Sequence, residues 1–574
     1  MARALFLCDR ASKPCEWRDQ AWDVEGAIRH HGPKADLNLR VENLSHRVLE
    51  TIDARASDLV RIAAYVYAAD QSVKRGGPKD VYGSSWRRTI ALSIPVTDPE
   101  FWSQATIRAA LQDALNFLSD DDWEFHFAAG APEGRQLVLN VDKAGLLSRP
   151  DSVILFSGGA DSLCATIEQA AEGRGRPLLV SHRPTPPVDS RQKALLCALR
   201  EHFATWAFPQ LGFWIHRRGS EAVETSQRTR SFLFASLGVA TASRLNLRDV
   251  ILADNGVVSL NIPFNAQLVG ALATRSTHPR FLWLFNRFIQ AVFDDPLQLS
   301  NPLANRTRAE AFHILRANHA EALLQETVSC AHARGRPSVQ PHCGICSQCI
   351  DRRFASLTAG LEEHDLAECY GLDIFRDELP PGNGRTLAVS FVRFATQVCE
   401  NDEVDLFIHF PQLGDCILPD DPEPAKTAHE LVALLKRHAV DVLGVMKSEV
   451  ALHTEDLAGG RLAPHSLLAS VASGLVPTEA PTPADGKPEL PRHSPDFRTF
   501  DWRGEVLKFT PTQARVAEIL CKAFENRTPD VGLDYLLENS ESEARRLRDV
   551  FKGTKALGTL IVPGQRRGTY RINP

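Results

Sequence analysis

The apolar run Val153-Ile154-Leu155-Phe156 breaks into Ser157-Gly158-Gly159-Ala160-Asp161-Ser162 and then into a helical stretch from Leu163 to Ala171. No other stretch constrains the fold as tightly. A short buried strand that ends in paired glycines delivers the chain to a helix N-terminus, where unpaired N–H groups and the helix dipole attract an anion. Gly158 and Gly159 permit positive φ and let backbone amides approach phosphate oxygens. Ser157 and Ser162 add hydroxyl donors, and Asp161 is suited to hold Mg2+ or to cap the helix. The loop lacks the Gly-Lys-Ser/Thr ending of a Walker A motif, and the Gly486-Lys487 pair has no upstream glycine at that spacing. An ordinary Ser/Gly turn capping a helix would read the same way locally.

The second constraint is Cys330, Cys343, Cys346 and Cys349, which end in Cys-Gly-Ile-Cys-Ser-Gln-Cys. Two Cys-x-x-Cys steps share Cys346, so three thiolates fall in one tight loop and Cys330 is near enough to supply a fourth. Four thiolates suit a closed, tetrahedral, structural Zn2+. The alternatives are a redox pair or disulfides. A redox pair needs neither a third nor a fourth cysteine, and the composition reads as intracellular. The other cysteines are scattered and read as packed or incidental.

At 574 residues the chain has room for three or four domains. The apolar run at the N-terminus is too short for a signal peptide, and no stretch approaches the roughly 20 apolar residues that span a bilayer. The reading is a cytoplasmic protein without a membrane partner. A net charge of −6 speaks against a chain-wide nucleic-acid surface, though a local basic patch fits.

Residues 1–148 read as an α+β domain without a catalytic motif: a helix over Leu59 to Ala69, another over Ala105 to Leu118, and strands at Arg88 to Val96 and Trp123 to Phe127. From 149 to 375, strands at Val153–Phe156, Pro177–Val180, Phe213–His216 and Val250–Ala253 alternate with helices. That is the pattern of a doubly wound α/β parallel sheet, with ligands at the strands' carboxyl ends. Ser157, His182, His216 and Asp254 all fall at such ends; either histidine reads equally as a pocket-rim residue. Residues 376–476 read as a mixed α/β extension, with a helix from Thr427 to Val440 and a strand-like Leu406 to Phe410. A proline-rich linker covers 477–497. Residues 498–574 read as a winged helix: a hairpin over 500–509, helices at 511–524, 533–537 and 542–551, and a final hairpin over 559–572. Arg545, Arg546, Arg548, Arg566 and Arg567 could meet DNA phosphates. Acidic neighbours on the third helix favour protein docking instead.

Ser-Gly-Gly-x-Asp-Ser after a strand resembles the signature of the PP-loop ATP pyrophosphatases. The later Cys-x12-Cys-x2-Cys-x2-Cys followed by Ile350-Asp351-Arg352 is similar to the zinc segment of the 7-cyano-7-deazaguanine synthases of that superfamily. Arg228 to Phe234 resembles the family's arginine-led helix, Asp254-Asn255-Gly256 its substrate-pocket strand end, and Asn301 to Arg308 its proline turn and helix start with arginine for lysine. The resemblance spans roughly 150–365. The family's Tyr-Pro-Asp-Cys-Arg segment is replaced here by Val257 to Phe264, and the chain is far longer than a free-standing synthase. Its organisation looks more like the synthase-like proteins of bacterial anti-phage defence islands.

The resemblance implies an ATP-dependent ligase that releases AMP and pyrophosphate and adenylates a 7-carboxy-7-deazaguanine-like acid for attack by ammonia or a protein amine. Ser157, Gly158, Gly159, Ala160, Asp161 and Ser162 would bind ATP with Mg2+, together with His182, Asp254, Asn255 and Gly256. Asp161, Arg228, Arg230 and Arg308 would be catalytic, the arginines stabilising phosphate charge. Ordinary nitrile synthesis and a nucleotide-sensing, DNA-binding regulator are the alternatives.

Overall fold

A computed structural model describes residues 2–30, 35–41, 49–51, 53–75, 87–130, 138–140, 150–171, 175–183, 185–204, 206–217, 223–224, 226–263, 275–294, 296–332, 339–380, 383–473, 492–494, 497–502, 505–525, 530–540, 542, 544, 546–564 and 568–573. Its centre is a six-stranded sheet in the order Gln298–Ser300, Asp249–Ile251, Ser152–Leu155, Pro177–His182, Gln210–Arg217, Leu37–Val41. The first five strands are parallel and the sixth is antiparallel, with Phe213 opposite Val41. The strands read as continuous apolar runs because helices cover both faces; Val153, Ile154 and Leu155 are fully buried. Strand order reverses between Ser152–Leu155 and Asp249–Ile251. In an open parallel sheet such a reversal splays the following loops apart and opens a crevice at the carboxyl ends.

The α+β expectation for the N-terminal region needs correcting. Val24–Ile28, Ala2–Cys8, Arg88–Val96 and Asp122–Ala129 form a second sheet in that order, and every pair in it is parallel. The strands Ala2–Cys8 and Val24–Ile28 are not among those expected, and the single-turn helix between them, Cys15–Arg18, is too short to show a period, so the parallel alternation stays hidden. Between the two sheets lies the helix Ala54–Asp70, started by Asp53 accepting from Ala56 N at 2.9 Å. It is buried on nearly every side, which explains its alanine-rich, weakly amphipathic sequence. Residues of both sheets share one hydrophobic core, and the strand Leu37–Val41 closes an edge of the central sheet.

The extension after 375 is also different from expectation. The described residues from 383 to 473 contain helices and no strand, so the mixed α/β reading is replaced by a helical one. The strand-like run is the helix Glu403–His409, with Asp402 accepting from Asp405 N; Leu406 turns inward while Ile408 is exposed. Its long neighbour runs Pro424–Leu452, starting three residues before the expected helix and continuing well past its expected end at Val440.

In the C-terminal region, Thr499–Trp502 pairs with Glu505–Lys508, and helices follow at Pro511–Glu525 and Leu533–Asn539. The third helix is only Leu547–Val550, because Arg546 before it is extended. Ile561–Pro563 and Thr569–Ile572 pair antiparallel. This region has its own hydrophobic core. Arg545, Arg566, Arg567, Phe264 and most of the 477–497 linker lie outside the described residues. Among the described residues no helix is long and apolar enough to cross a membrane.

Candidate functional site

The glycine loop lies at the carboxyl end of Ser152–Leu155, beside the reversal of strand order, and opens the helix Ala160–Ala171. Gly158 has φ +86°, and a Cβ there would sit 3.2 Å from Gln192 Cγ. Ser157 Oγ donates to Ser162 Oγ at 3.2 Å and accepts from Gly159 N at 3.2 Å, while Ser162 Oγ donates to Gly159 O at 2.8 Å. Two outside groups hold the loop: Gln192 Nε2 donates to Ser157 O at 3.1 Å, and Val328 N donates to Gly158 O at 3.1 Å. Neither Gln192 nor Val328 belongs to a motif, so sequence reading missed both.

Across the crevice, Asn255 caps the short helix Gly256–Leu260 and donates from N and Nδ2 to Asp161 Oδ2, each at 3.3 Å. Arg308 Nη2 reaches the same oxygen at 3.0 Å. Asp161 Oδ1 is buried without a partner. Asp254 Oδ2 accepts from Thr277 Oγ1 at 2.9 Å, and Asn301 Nδ2 donates to the Asp254 carbonyl at 2.7 Å. Removal from water, reinforced by repulsion from Asp161, pushes the Asp254 carboxyl up to about 7. Gly256 has no room for a side chain, because a Cβ would meet Ala304 O at 2.1 Å.

Arg308 is cradled rather than open. It donates to Gln348 O at 3.2 Å and Gln348 Oε1 at 2.8 Å, and its Nε lies 3.2 Å from Asp351 Oδ2. Burial works against its charge, but Asp161 and Asp351 outweigh burial and hold it protonated above the usual arginine range. The other arginines lie elsewhere. Arg228 is buried and donates to Asp120 Oδ2 at 3.2 Å and Ser119 O at 3.4 Å, both in the N-terminal region. Arg230 begins the helix Arg230–Arg244. Thr229, which precedes it, donates from N and Oγ1 to Asp70 Oδ2 at 3.1 and 3.0 Å. His182 is wholly buried, with Nε2 donating to Ile215 O at 2.7 Å and Tyr67 edge-on to its ring. His216 Nδ1 lies 3.5 Å from Asn38 Nδ2.

The four cysteines come together and are buried. Cys343 Sγ and Cys349 Sγ are 3.8 Å apart. Zn–S bonds of 2.3 Å in a tetrahedron place sulfurs about 3.8 Å apart, so the donor set fits the ion. Ligand atoms of Cys330, His332, Cys343 and Cys346 lie within 4.8 Å of one another, which places the exposed His332 ring beside the thiolates, a neighbour that spacing alone did not reveal. Hydrogen bonds from the Cys330, Cys346 and Cys349 thiols draw Cys343 well below the usual thiol range. Backbone N–H groups of His332 and Cys346 point at Cys330 Sγ and Cys343 Sγ. Gly344, at φ +84°, allows the turn, since a Cβ would meet Leu372 O at 2.1 Å.

No protein-family profile matches the chain. The 7-cyano-7-deazaguanine synthase of Methanothermobacter thermautotrophicus is 26% identical to it over 147 residues, 25% of this chain and 58% of the relative. The match therefore spans little more than half of that enzyme's length.

Proposed function

We propose that this chain is an ATP-dependent synthase related to the 7-cyano-7-deazaguanine synthases, adenylating a 7-deazaguanine carboxylate and releasing pyrophosphate. The observation that carries the reading is the meeting of Ser157–Ser162 with Asp254–Gly256 at the strand-order reversal, where one Asp161 oxygen is fixed and the other is bare. The partial similarity to a synthase supports the same chemistry.

In this reading the substrate carboxylate oxygen attacks the α-phosphorus of ATP, the bond to the β-phosphate oxygen breaks, and an amine then displaces AMP from the acyl carbon. Backbone amides of Gly158, Gly159 and Ala160 and the hydroxyls of Ser157 and Ser162 would receive the leaving pyrophosphate, aided by the helix dipole. Asp161 Oδ1 fits Mg2+, being a buried carboxylate oxygen without a partner. Bound there, the ion would neutralise charge on the departing phosphates. Asp254, Asn255 and Gly256 would border the nucleotide and base. The rest of the reaction needs orientation more than a covalent group. Cys330, Cys343, Cys346 and Cys349 would hold Zn2+ with every position filled, a structural role. The added regions, including a winged-helix-like 498–574, support a protein amine as acceptor, the setting expected of an anti-phage defence enzyme.

The test is product analysis. With ATP, Mg2+ and 7-carboxy-7-deazaguanine, the chain should form AMP and pyrophosphate, and AMP release should depend on the acid. ADP as product, or AMP formation indifferent to every such acid, overturns the assignment.

A further inference from the structure

The helix Pro424–Leu452 packs on Ser347–Ala359 and reaches the first turn of Arg308–Ala317, the helix that presents Arg308 to the loop, through side-chain hydrogen bonds. Arg437 donates to Glu310 Oε1 and to Asn305 O, each at 2.7 Å, and Thr307 Oγ1 donates to Asp441 Oδ2 at 3.4 Å. Between these elements and Ser347–Ala359 lies a cavity of about 10 Å³, lined by Arg308, Asp351, Phe354, Thr358, His438 and Asp441 among others. That volume holds one water molecule when polar partners surround it. Four buried side-chain atoms of the lining residues have no hydrogen-bond partner: Arg308 Nε, Asp351 Oδ2, Thr358 Oγ1 and His438 Nε2. Arg308 Nε and Asp351 Oδ2 are an ion pair at 3.2 Å, yet their hydrogen-bonding capacity there is unmet. Leaving such groups unsatisfied destabilises the fold, and a single shared water removes that cost.

We infer that this cavity is a binding site for one structural water, and that through it His438 acts as a positioning residue for Arg308 and Asp161. The water accepts from Arg308 Nε–H and donates to Asp351 Oδ2, which leaves a donor and an acceptor for His438 Nε2 and Thr358 Oγ1. Burial lowers the basicity of His438, so its ring is neutral and joins as a hydrogen-bonding group rather than as a charge. The path is short: His438, water, Asp351 with Arg308, then Asp161 at 3.0 Å. Its importance for turnover rests on the proposed function, while its existence does not. It also assigns the region after 375 a part in the site, for which the sequence offered none.

Crystals of the full chain at a resolution that shows ordered waters decide the first half. One density peak within hydrogen-bonding distance of His438 Nε2 and Asp351 Oδ2 is expected, and a dry cavity overturns the inference. For the second half, His438→Leu and Thr358→Val should lengthen the Arg308–Asp161 contact, and His438→Gln, which keeps a polar atom, should restore it. Two variants guard against one that fails to fold. Calorimetric affinity for Mg2+ with inorganic pyrophosphate should fall about two- to tenfold in the first two variants, the size of one hydrogen bond, and recover in the third. An Arg308–Asp161 contact unchanged in both apolar variants overturns the positioning role. A lengthened contact in a chain whose wild type neither binds pyrophosphate nor makes AMP upholds the relay and removes the proposed function instead.

Discussion

Arg308 stands between two buried carboxylates, Asp161 and Asp351, and its loss leaves both without a countercharge. Arg308→Met should therefore destabilise the fold by about 3–5 kcal/mol, read by denaturant unfolding, besides lowering activity. An arginine serving only phosphate would lower activity and leave stability alone. Gly158→Ala should weaken the loop even without substrate. Forcing a Cβ to positive φ costs roughly 1–2 kcal/mol, and the methyl presses on Gln192. A melting temperature equal to wild type would show that the loop relaxes freely. Asp9 gives a pH signature. Burial opposes its charge, but hydrogen bonds from His30 and Tyr65 outweigh burial and bring its pKa from 3.8 down to about 2. The stabilisation is complete above the unfolded value and is lost as pH falls through the folded one. Asp9→Asn should lose up to about 2 kcal/mol near pH 7, the gap to wild type closing between pH 4 and 2 in unfolding titrations.

Among elements, the cysteine arm and the glycine loop are tied at two points. Val328, just ahead of Cys330, donates to Gly158 O, and Gln348, next to Cys349, accepts from Arg308. Arg352 fixes the segment leading into Val328 by donating to Thr327 Oγ1 at 2.6 Å and Leu324 O at 2.9 Å. The purified protein should carry one Zn2+ per chain by elemental analysis. Cys346→Ser should lose the ion and also expose the loop to hydrogen exchange at Gly158 and Gly159. Metal loss with unchanged exchange there would show that the arm and the loop are independent. The helix Arg230–Arg244 shows a similar dependence. Thr229, just before its first turn, is held by Asp70, within a buried network of Arg75, Arg88 and Asp121. The arginine-led pattern is plain in sequence; that Arg228 turns to Asp120 is not, because its partner lies 108 residues away.

For the whole molecule, the N-terminal and central sheets share one core, whereas 498–574 has a separate one. A chain starting at 149 should be insoluble, since it uncovers the edge of Gln210–Arg217 and the apolar face against Ala54–Asp70. A chain ending before 492 should keep the melting temperature of its main transition, measured by calorimetry. A soluble, monomeric 149–574 fragment would show that the shared core is dispensable.

The sequence by itself determined the local features. Glycines at one turn, apolar runs of strand length and four cysteines at metal-ligand spacing are set by neighbours in the chain. Strand existence, the loop and the cysteine cluster were therefore legible. Tertiary structure alone decided the parallel order of the N-terminal sheet, the helical state of Glu403–His409 and the company each polar side chain keeps. Apolar residues in a short run serve a strand or a helix equally until packing chooses one face, and a buried charge takes whichever opposite group the fold brings near. Arg308 illustrates both sides. Its place at a helix start beside the site could be read from the chain, but its partners come from the loop at 161 and the helix at 348–351, which only the folded chain brings together.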